Sequence, residues 1–212
     1  MSPRWRPDMP GRSAGCKASQ FLPNRRRSAV NFSVTPLELA GLLLIEERHY
    51  HDDRGYFVET WTRRAFAELE IEADFVQDNQ SLSRRRGTLR GLHYQKAPYA
   101  QAKLVRVMSG SIFDVVVDIR ESSPTFGRWC SVILNAGEAK QLFVPRGFAH
   151  GFMTLVDNTI VTYKADSPYH PASDAGIFWN DPELGICWPV PEAELSISAK
   201  DRQLPHLRNG AV

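Results

Sequence analysis

From residue 30 onward, short apolar runs recur along the chain, each closed by turn-forming residues. The runs fall at 42–45, 56–60, 75–77, 104–107, 112–119, 129–134, 141–144, 151–155 and 159–164. Between them stand turn pairs such as Ser109-Gly110, Ala136-Gly137, Arg146-Gly147 and Asp157-Asn158. Strands this short and this frequent build a sandwich or a barrel, whereas βαβ units would need long helical stretches between them. One amphipathic helix is expected at 62–69, with a shorter one near the C-terminus. Closed and double-sheet β architectures leave a cavity inside or between their sheets, and a small ligand would bind there.

The 212 residues suffice for one domain with a sizeable core. No stretch approaches the 18 or more apolar residues of a membrane span. Leu42-Leu43-Leu44-Ile45 is too short and reads as a buried strand. Cys16, Cys130 and Cys187 are odd in number and far apart, which argues against a disulfide framework and for a reducing, cytoplasmic setting. The formal charge of +2 is misleading. Residues 1–29 hold seven basic side chains and one acidic one, leaving 19 basic and 23 acidic residues and a body charge near −4. The basic character belongs to the tail and is not a nucleic-acid footprint. That tail lacks apolar periodicity and is rich in Pro, Ser, Gly and Arg, so residues 1–29 are expected to be a disordered extension of a single domain spanning 30–212. It reads as a targeting peptide, a polyanion-binding arm, or a start of translation assigned too early. The last is preferred, because a valine at position 30 can arise from an alternative start codon.

Polar groups concentrate at 77–107. Gln77-Asp78-Asn79-Gln80-Ser81 leads to Leu89-Arg90-Gly91-Leu92-His93-Tyr94-Gln95 and then to Gln101-Ala102-Lys103-Leu104-Val105-Arg106-Val107. A structural sheet would place apolar side chains on its buried face; these polar groups suggest a lined pocket instead. His93 is the candidate general base, because histidine titrates near neutrality. In an unbroken strand, Leu89, Gly91, His93 and Gln95 share one face and Arg90, Leu92 and Tyr94 the other. Lys103 shares a face with Gln101, and a buried ammonium there would stabilise the negative charge of an enolate. Arg84-Arg85-Arg86 reads as a solvated turn.

The segment Leu89-Arg90-Gly91-Leu92-His93-Tyr94-Gln95 resembles the signature of the dTDP-4-dehydrorhamnose 3,5-epimerases, sugar-nucleotide epimerases on a cupin-type jelly roll. Four further blocks match in order: Asp53-Arg54-Gly55-Tyr56-Phe57-Val58-Glu59, Phe113 to Arg120 with Ser123-Pro124-Thr125-Phe126-Gly127, Pro145 to Phe152, and Trp179-Asn180-Asp181-Pro182. The similarity runs from about Val30 to about Leu204, and it starts where the basic tail stops. It implies an all-β, cupin-type jelly-roll sandwich or barrel with a few short peripheral helices.

The resemblance also implies roles. Asp201, in Ser198-Ala199-Lys200-Asp201, would orient His93. Tyr163 would be the general acid that delivers a proton to the opposite face; nothing in its local sequence separates it from a packed strand tyrosine. Tyr169 would shape the pocket. Arg54 and Arg90 match positions near the phosphates, and arginine suits phosphate through its planar fork. Glu59, Gln77 and Asn79 match positions that contact the nucleotide or hold the entrance, and Phe57 or Tyr56 could stack on the base. The family is dimeric, with an N-terminal strand exchanged between subunits, so residues around 42–59 would serve the partner's site.

Pro145-x-Gly147-x-x-His150 is similar to the second cupin motif, whose histidine often binds a metal. The first motif's His-x-His cluster is missing here, and His49 and His51 resemble a turn, so no metal is expected and His150 should hydrogen-bond within the pocket. The chain has no Gly-x-Gly-x-x-Gly fingerprint and no P-loop, which disfavours bound NAD and ATP hydrolysis; no cofactor is expected. The expected activity is cofactor-independent epimerisation of a dTDP-linked 4-keto-6-deoxyhexose. Rival readings are a single-carbon epimerase or ketoisomerase of another deoxysugar route, a sugar-binding cupin without turnover, and a metal-dependent cupin dioxygenase.

Overall fold

The structure is a computed structural model, and residues 27–208 are described. The basic residues before Arg27 lie outside that range, as does Cys16. The described residues open with β1 (Arg27–Ala29), inside the span assigned from sequence to the extension, and β2 (Phe32–Pro36), which pairs antiparallel with it. There follow β3 (Leu43–Glu47), β4 (His49–Asp52), β5 (Gly55–Val58) and helix α1 (Arg63–Glu68). The helix starts where the sequence says it should: the Thr62 hydroxyl accepts from the Ala65 N–H at 3.2 Å, satisfying one of the orphan donors of the first turn. Next come β6 (Gln77–Ser83), β7 (Thr88–Gln95), β8 (Lys103–Ser109), β9 (Ser111–Asp118) and β10 (Trp129–Asn135). The last strands are β11 (Lys140–Val144), β12 (Phe148–Thr154), β13 (Thr159–Ala165), β14 (Asp174–Gly176) and β15 (Ser196–Ile197).

Two sheets result. One runs β1-β2-β3-β11-β8-β13-β6; the other runs β10-β9-β12-β7-β14, with β15 parallel to the start of β7. Their facing sides meet in a core of Leu142, Val105, Val107 and Val161 against Ile112, Val116, Leu134, Phe148 and Phe152. Strand alternation turns the other residues outward. On the first sheet Leu43, Ile45, Leu104 and Phe143 are covered by Phe66 and Leu69 of the α1 segment. On the second, Leu92, Val115, Val117 and Ala149 are covered by the irregular C-terminal chain through Ile177, Leu184, Ile186 and Leu207. This is the jelly-roll sandwich expected from sequence, with α1 its one α-helix among the described residues.

Two local expectations are corrected. His49 and His51 do not form a turn; they lie in β4, which pairs only with β5 in a separate two-stranded ribbon, and the His49 ring stacks on Tyr56 at 4.4 Å. The second correction concerns β7. Its alternation is broken at Gly91, which has φ +127°. Opposite β12, His93 pairs with His150 and Arg90 with Phe152, so Gly91 and Leu92 together face the single residue Gly151. Such a bulge shifts the period by one. Arg90 therefore falls on the same face as His93, not the opposite one.

Candidate active site

The site lies between the sheets, toward the end where β7 and β8 carry polar side chains. His93 projects from β7 with a third of its side chain exposed, so a ligand can reach it. Its Nε2 is 2.7 Å from Oδ1 of Asp201, a residue 4% exposed at the start of a 3-10 turn, Asp201–Gln203. Oδ2 of the same carboxylate accepts the Gly91 N–H at 3.4 Å, and the Ser198 hydroxyl accepts the Asp201 N–H at 3.0 Å. Burial alone would raise the Asp201 pKa; the hydrogen bond and charge of His93, with the Gly91 N–H, outweigh it and hold the carboxyl below its ordinary value. Asp201 is thus ionised at neutral pH, and its contact fixes the orientation of the His93 ring.

Across the gap, Lys103 (β8) and Tyr163 (β13) share the inner face of the other sheet, with the ammonium 5.8 Å from the tyrosine ring centre. Lys103 retains some exposure at its surface, yet the protein around it strips enough water that desolvation lowers its pKa to about 8, while the charges of Asp114 and Asp174 oppose the fall. Burial raises the Tyr163 pKa, with Arg90 acting in the other direction, so the phenol keeps its proton through the neutral range. Arg90 spans the sheets: its Nε donates to the Ser83 hydroxyl and its Nη2 to the Leu82 carbonyl, both at 3.2 Å.

The floor holds a second histidine–carboxylate contact that sequence reasoning half found. His150 is buried as expected, and its Nε2 lies 2.9 and 3.0 Å from the two oxygens of Asp114. Asp114 itself is fully buried and was not singled out. The signal was present: an aspartate at an inward position of the apolar run 112–119 must find a partner, because an unpaired buried carboxylate costs several kcal/mol. The rim carries Gln77 and Asn79, side by side on β6, with Gln77 Nε2 donating to Asn79 Oδ1 at 2.8 Å. Gln77 Oε1 accepts the Tyr169 N–H at 2.9 Å, and the Tyr169 hydroxyl donates to Asp174 at 3.0 Å. Asp174, also missed, pairs with Lys200 beside the Asp201 turn. Among the described residues, no group of three His, Cys, Asp or Glu side chains is placed to hold a metal ion.

Two expected site residues are elsewhere. Arg54 stands at the tip of the β4–β5 ribbon, its side chain 89% exposed and paired only with Asp52 in the same turn. Glu59 follows β5 and accepts from Asn31 at 3.3 Å. Neither joins His93 within this chain.

A histidine–carboxylate pair on one side of a jelly roll, with a lysine and a protonated tyrosine on the facing sheet, is an arrangement suited to proton transfer, and it sets the chain beside the sugar-nucleotide epimerases. A family model described as dTDP-4-dehydrorhamnose 3,5-epimerase matches residues 36–209, and the chain belongs to that family. The dTDP-4-dehydrorhamnose 3,5-epimerase of Methanothermobacter thermautotrophicus is 48% identical over 182 residues, covering 85% of this chain and 97% of the relative. The crystal structure of the Bacillus anthracis enzyme of that name, with TDP and PPi bound, has a TM-score of 0.80 and 48% identity, covering 82% of this chain and 99% of its own. The Legionella pneumophila epimerase in complex with dTDP-4-keto-L-rhamnose has a TM-score of 0.79 and 43% identity, covering 84% and 93% respectively.

The bulge makes a testable demand. A Cβ on Gly91 would sit 2.5 Å from the Gly151 Cα and 2.9 Å from the His150 carbonyl oxygen, both backbone atoms of β12 that cannot swing aside. Gly91→Ala should lower stability by about 3 kcal/mol or more, visible as an earlier urea midpoint with unchanged slope. A substitution tolerated within about 0.5 kcal/mol would show that the bulge is not needed.

Proposed function

We propose that the protein epimerises dTDP-4-dehydro-6-deoxy-D-glucose at C3 and C5 to dTDP-4-dehydro-L-rhamnose, without a cofactor. The observation that carries this reading is the opposition of His93, on one sheet with Asp201 beside it, to Lys103 and Tyr163 on the other. The C4 ketone acidifies the hydrogens on both neighbouring carbons. His93 takes one as a proton, and the electron pair of the broken C–H bond moves to the C4 oxygen. The Lys103 ammonium stabilises that enolate; a preorganised charge of this kind is worth about 3 kcal/mol of barrier. Tyr163 then delivers its phenolic proton to the opposite face of the carbon. Solvent reprotonates the tyrosinate and accepts the proton from His93, and the cycle repeats at the second carbon. Arg90 binds phosphate, Gln77, Asn79 and His150 hold the substrate, and Tyr169 walls the pocket.

We further infer a homodimer in which the β4–β5 ribbon reaches the partner's site. On this ribbon Tyr56 is 54% and Phe57 70% exposed, an apolar display that a single chain leaves in water. Arg54 and Glu59, which match nucleotide-contacting positions, sit on or beside it, away from their own His93. No helix of the described residues is long and apolar enough to cross a membrane. The odd number and wide spacing of the three cysteines support a reducing, cytoplasmic setting.

Incubation with the keto sugar in heavy water tests the chemistry. Deuterium should enter at C3 and C5, and His93→Ala should abolish it; label at one carbon only, or none, would sink the double epimerisation. The pH profile follows from Lys103. Its ammonium is present below about pH 8 and lost above, so kcat/KM should fall about tenfold per unit on the alkaline side, and Lys103→Met should remove that limb along with about 10² or more of the rate. Shared sites predict complementation: mixing inactive His93→Ala and Arg54→Ala subunits should restore about a quarter of wild-type activity, because half of the dimers are mixed and each holds one intact site. No recovery after subunit exchange would argue for sites built from one chain.

A further inference from the structure

Two loops make the rim above His93: 96–102, leading from β7 to β8, and 166–173, leading from β13 to β14. Both are tied to one buried side chain that the chemistry above does not use. Gln95, two residues beyond His93, is 6% exposed. Its Nε2 donates to the Tyr99 carbonyl at 2.7 Å and to the Pro168 carbonyl at 3.2 Å, and its Oε1 accepts the His170 N–H at 2.7 Å. One carboxamide thus reaches both loops and grips the residues on either side of Tyr169. The loops are also joined to each other: Gln101 Nε2 donates to the Ser167 carbonyl at 2.6 Å, and the rings of Tyr99 and His170 stack at 3.8 Å with an interplanar angle of 3°.

The consequence falls on Tyr169. Its ring is 55% exposed at the mouth, yet its backbone is held on three successive residues, by Gln95 at Pro168 and His170 and by Gln77 at its own N–H. A wall held in place before the ligand arrives avoids the ordering cost of a loop that must be immobilised on binding. A buried glutamine that merely satisfied local backbone would need no such arrangement across two loops.

We propose that Gln95 is a positioning residue, clamping both rim loops and the Tyr169 wall into the frame of the His93 strand so that the nucleotide end of the substrate meets a preformed surface. This rests on the epimerase reading and adds to it a division between binding and chemistry. Losing the clamp should weaken nucleotide binding while sparing proton abstraction, since His93 is held separately by Asp201.

The test compares wild type, Gln95→Ala and Tyr99→Leu by dTDP calorimetry and by deuterium wash-in at saturating keto sugar. Gln95→Ala should weaken dTDP binding and raise KM by about tenfold, with the saturated wash-in rate within about twofold of wild type. Tyr99→Leu breaks only the ring stack at a surface position and should act in the same direction by less. Unchanged dTDP affinity in folded Gln95→Ala overturns the proposal, as does lost wash-in with affinity intact, which would assign Gln95 to the base. Should Gln95→Ala not fold, unchanged affinity in Tyr99→Leu overturns it. Because dTDP binding is read without turnover, a wild type that binds dTDP but exchanges no label refutes the epimerase reading separately.

Discussion

Where β7 crosses β12, two glycine backbones lie so close that a methyl group on either would collide with the other strand. This contact lets two residues of β7 oppose one of β12, and the side chains beyond it change faces. Without that shift His93 and Arg90 would point to opposite sides of the sheet, and one of them would be lost to the apolar layer under the C-terminal chain. With it, both enter the cavity. The same irregular backbone frees the Gly91 N–H from the ladder and offers it to Asp201, so the device that aims His93 also anchors the carboxylate bound to it. A register fixed by two glycine backbones leaves no room for a side chain to shift it.

The charges inside the sandwich are answered unevenly. Asp201 and His93 answer each other at one side of the cavity, and Asp114 and His150 at the floor. Lys103 gains only from more distant carboxylates, and desolvation therefore brings its pKa near the physiological range. An ammonium held by a close ion pair would be more stable in the resting protein and less available to an enolate. On the proposed mechanism, the modest stabilisation of Lys103 would leave its charge free to act where negative charge develops, which is the condition for lowering a barrier rather than a ground state.

Much of this was legible in the sequence, and the exceptions share a cause. Strands β8 to β11 and β13 follow runs whose alternation has an apolar inner face, and α1 follows from Thr62 and the pattern after it. Strand β6 was reduced to its first residue because its inward positions are Gln77, Asn79, Ser81 and Ser83; lining a cavity removes the apolar signal by which strands are recognised. The β4–β5 ribbon was missed as a unit because it packs on neither sheet, so nothing imposed a hydrophobic period on it. The face of Arg90 was misassigned because a bulge leaves only a glycine as its trace. His93 and Lys103 were found from residue chemistry and local crowding. Tyr163 and Asp201 were reached only through the resemblance, since a strand tyrosine and a surface-like Ser-x-Lys-Asp stretch carry no local mark of their partners 108 residues away in the case of Asp201.

The parts of the site differ in how they are held, and the difference follows their tasks. His93, Lys103, Tyr163 and His150 sit within paired strands, where neighbouring ladders fix their backbones. Asp201 arrives on a short turn, but a backbone N–H of the bulge and a serine hydroxyl hold it. Gln95 and Gln77 instead reach out to the rim loops, and Arg54 stands on the free ribbon; loops and ribbon are the elements that vary without disturbing the core. Loops alone would make a loose binding surface. The buried carboxamide of Gln95 resolves that conflict by carrying the rigidity of β7 outward into the rim. A change of nucleotide or sugar would then call for altered loops above Gln95, while the strands that perform proton transfer could stay as they are.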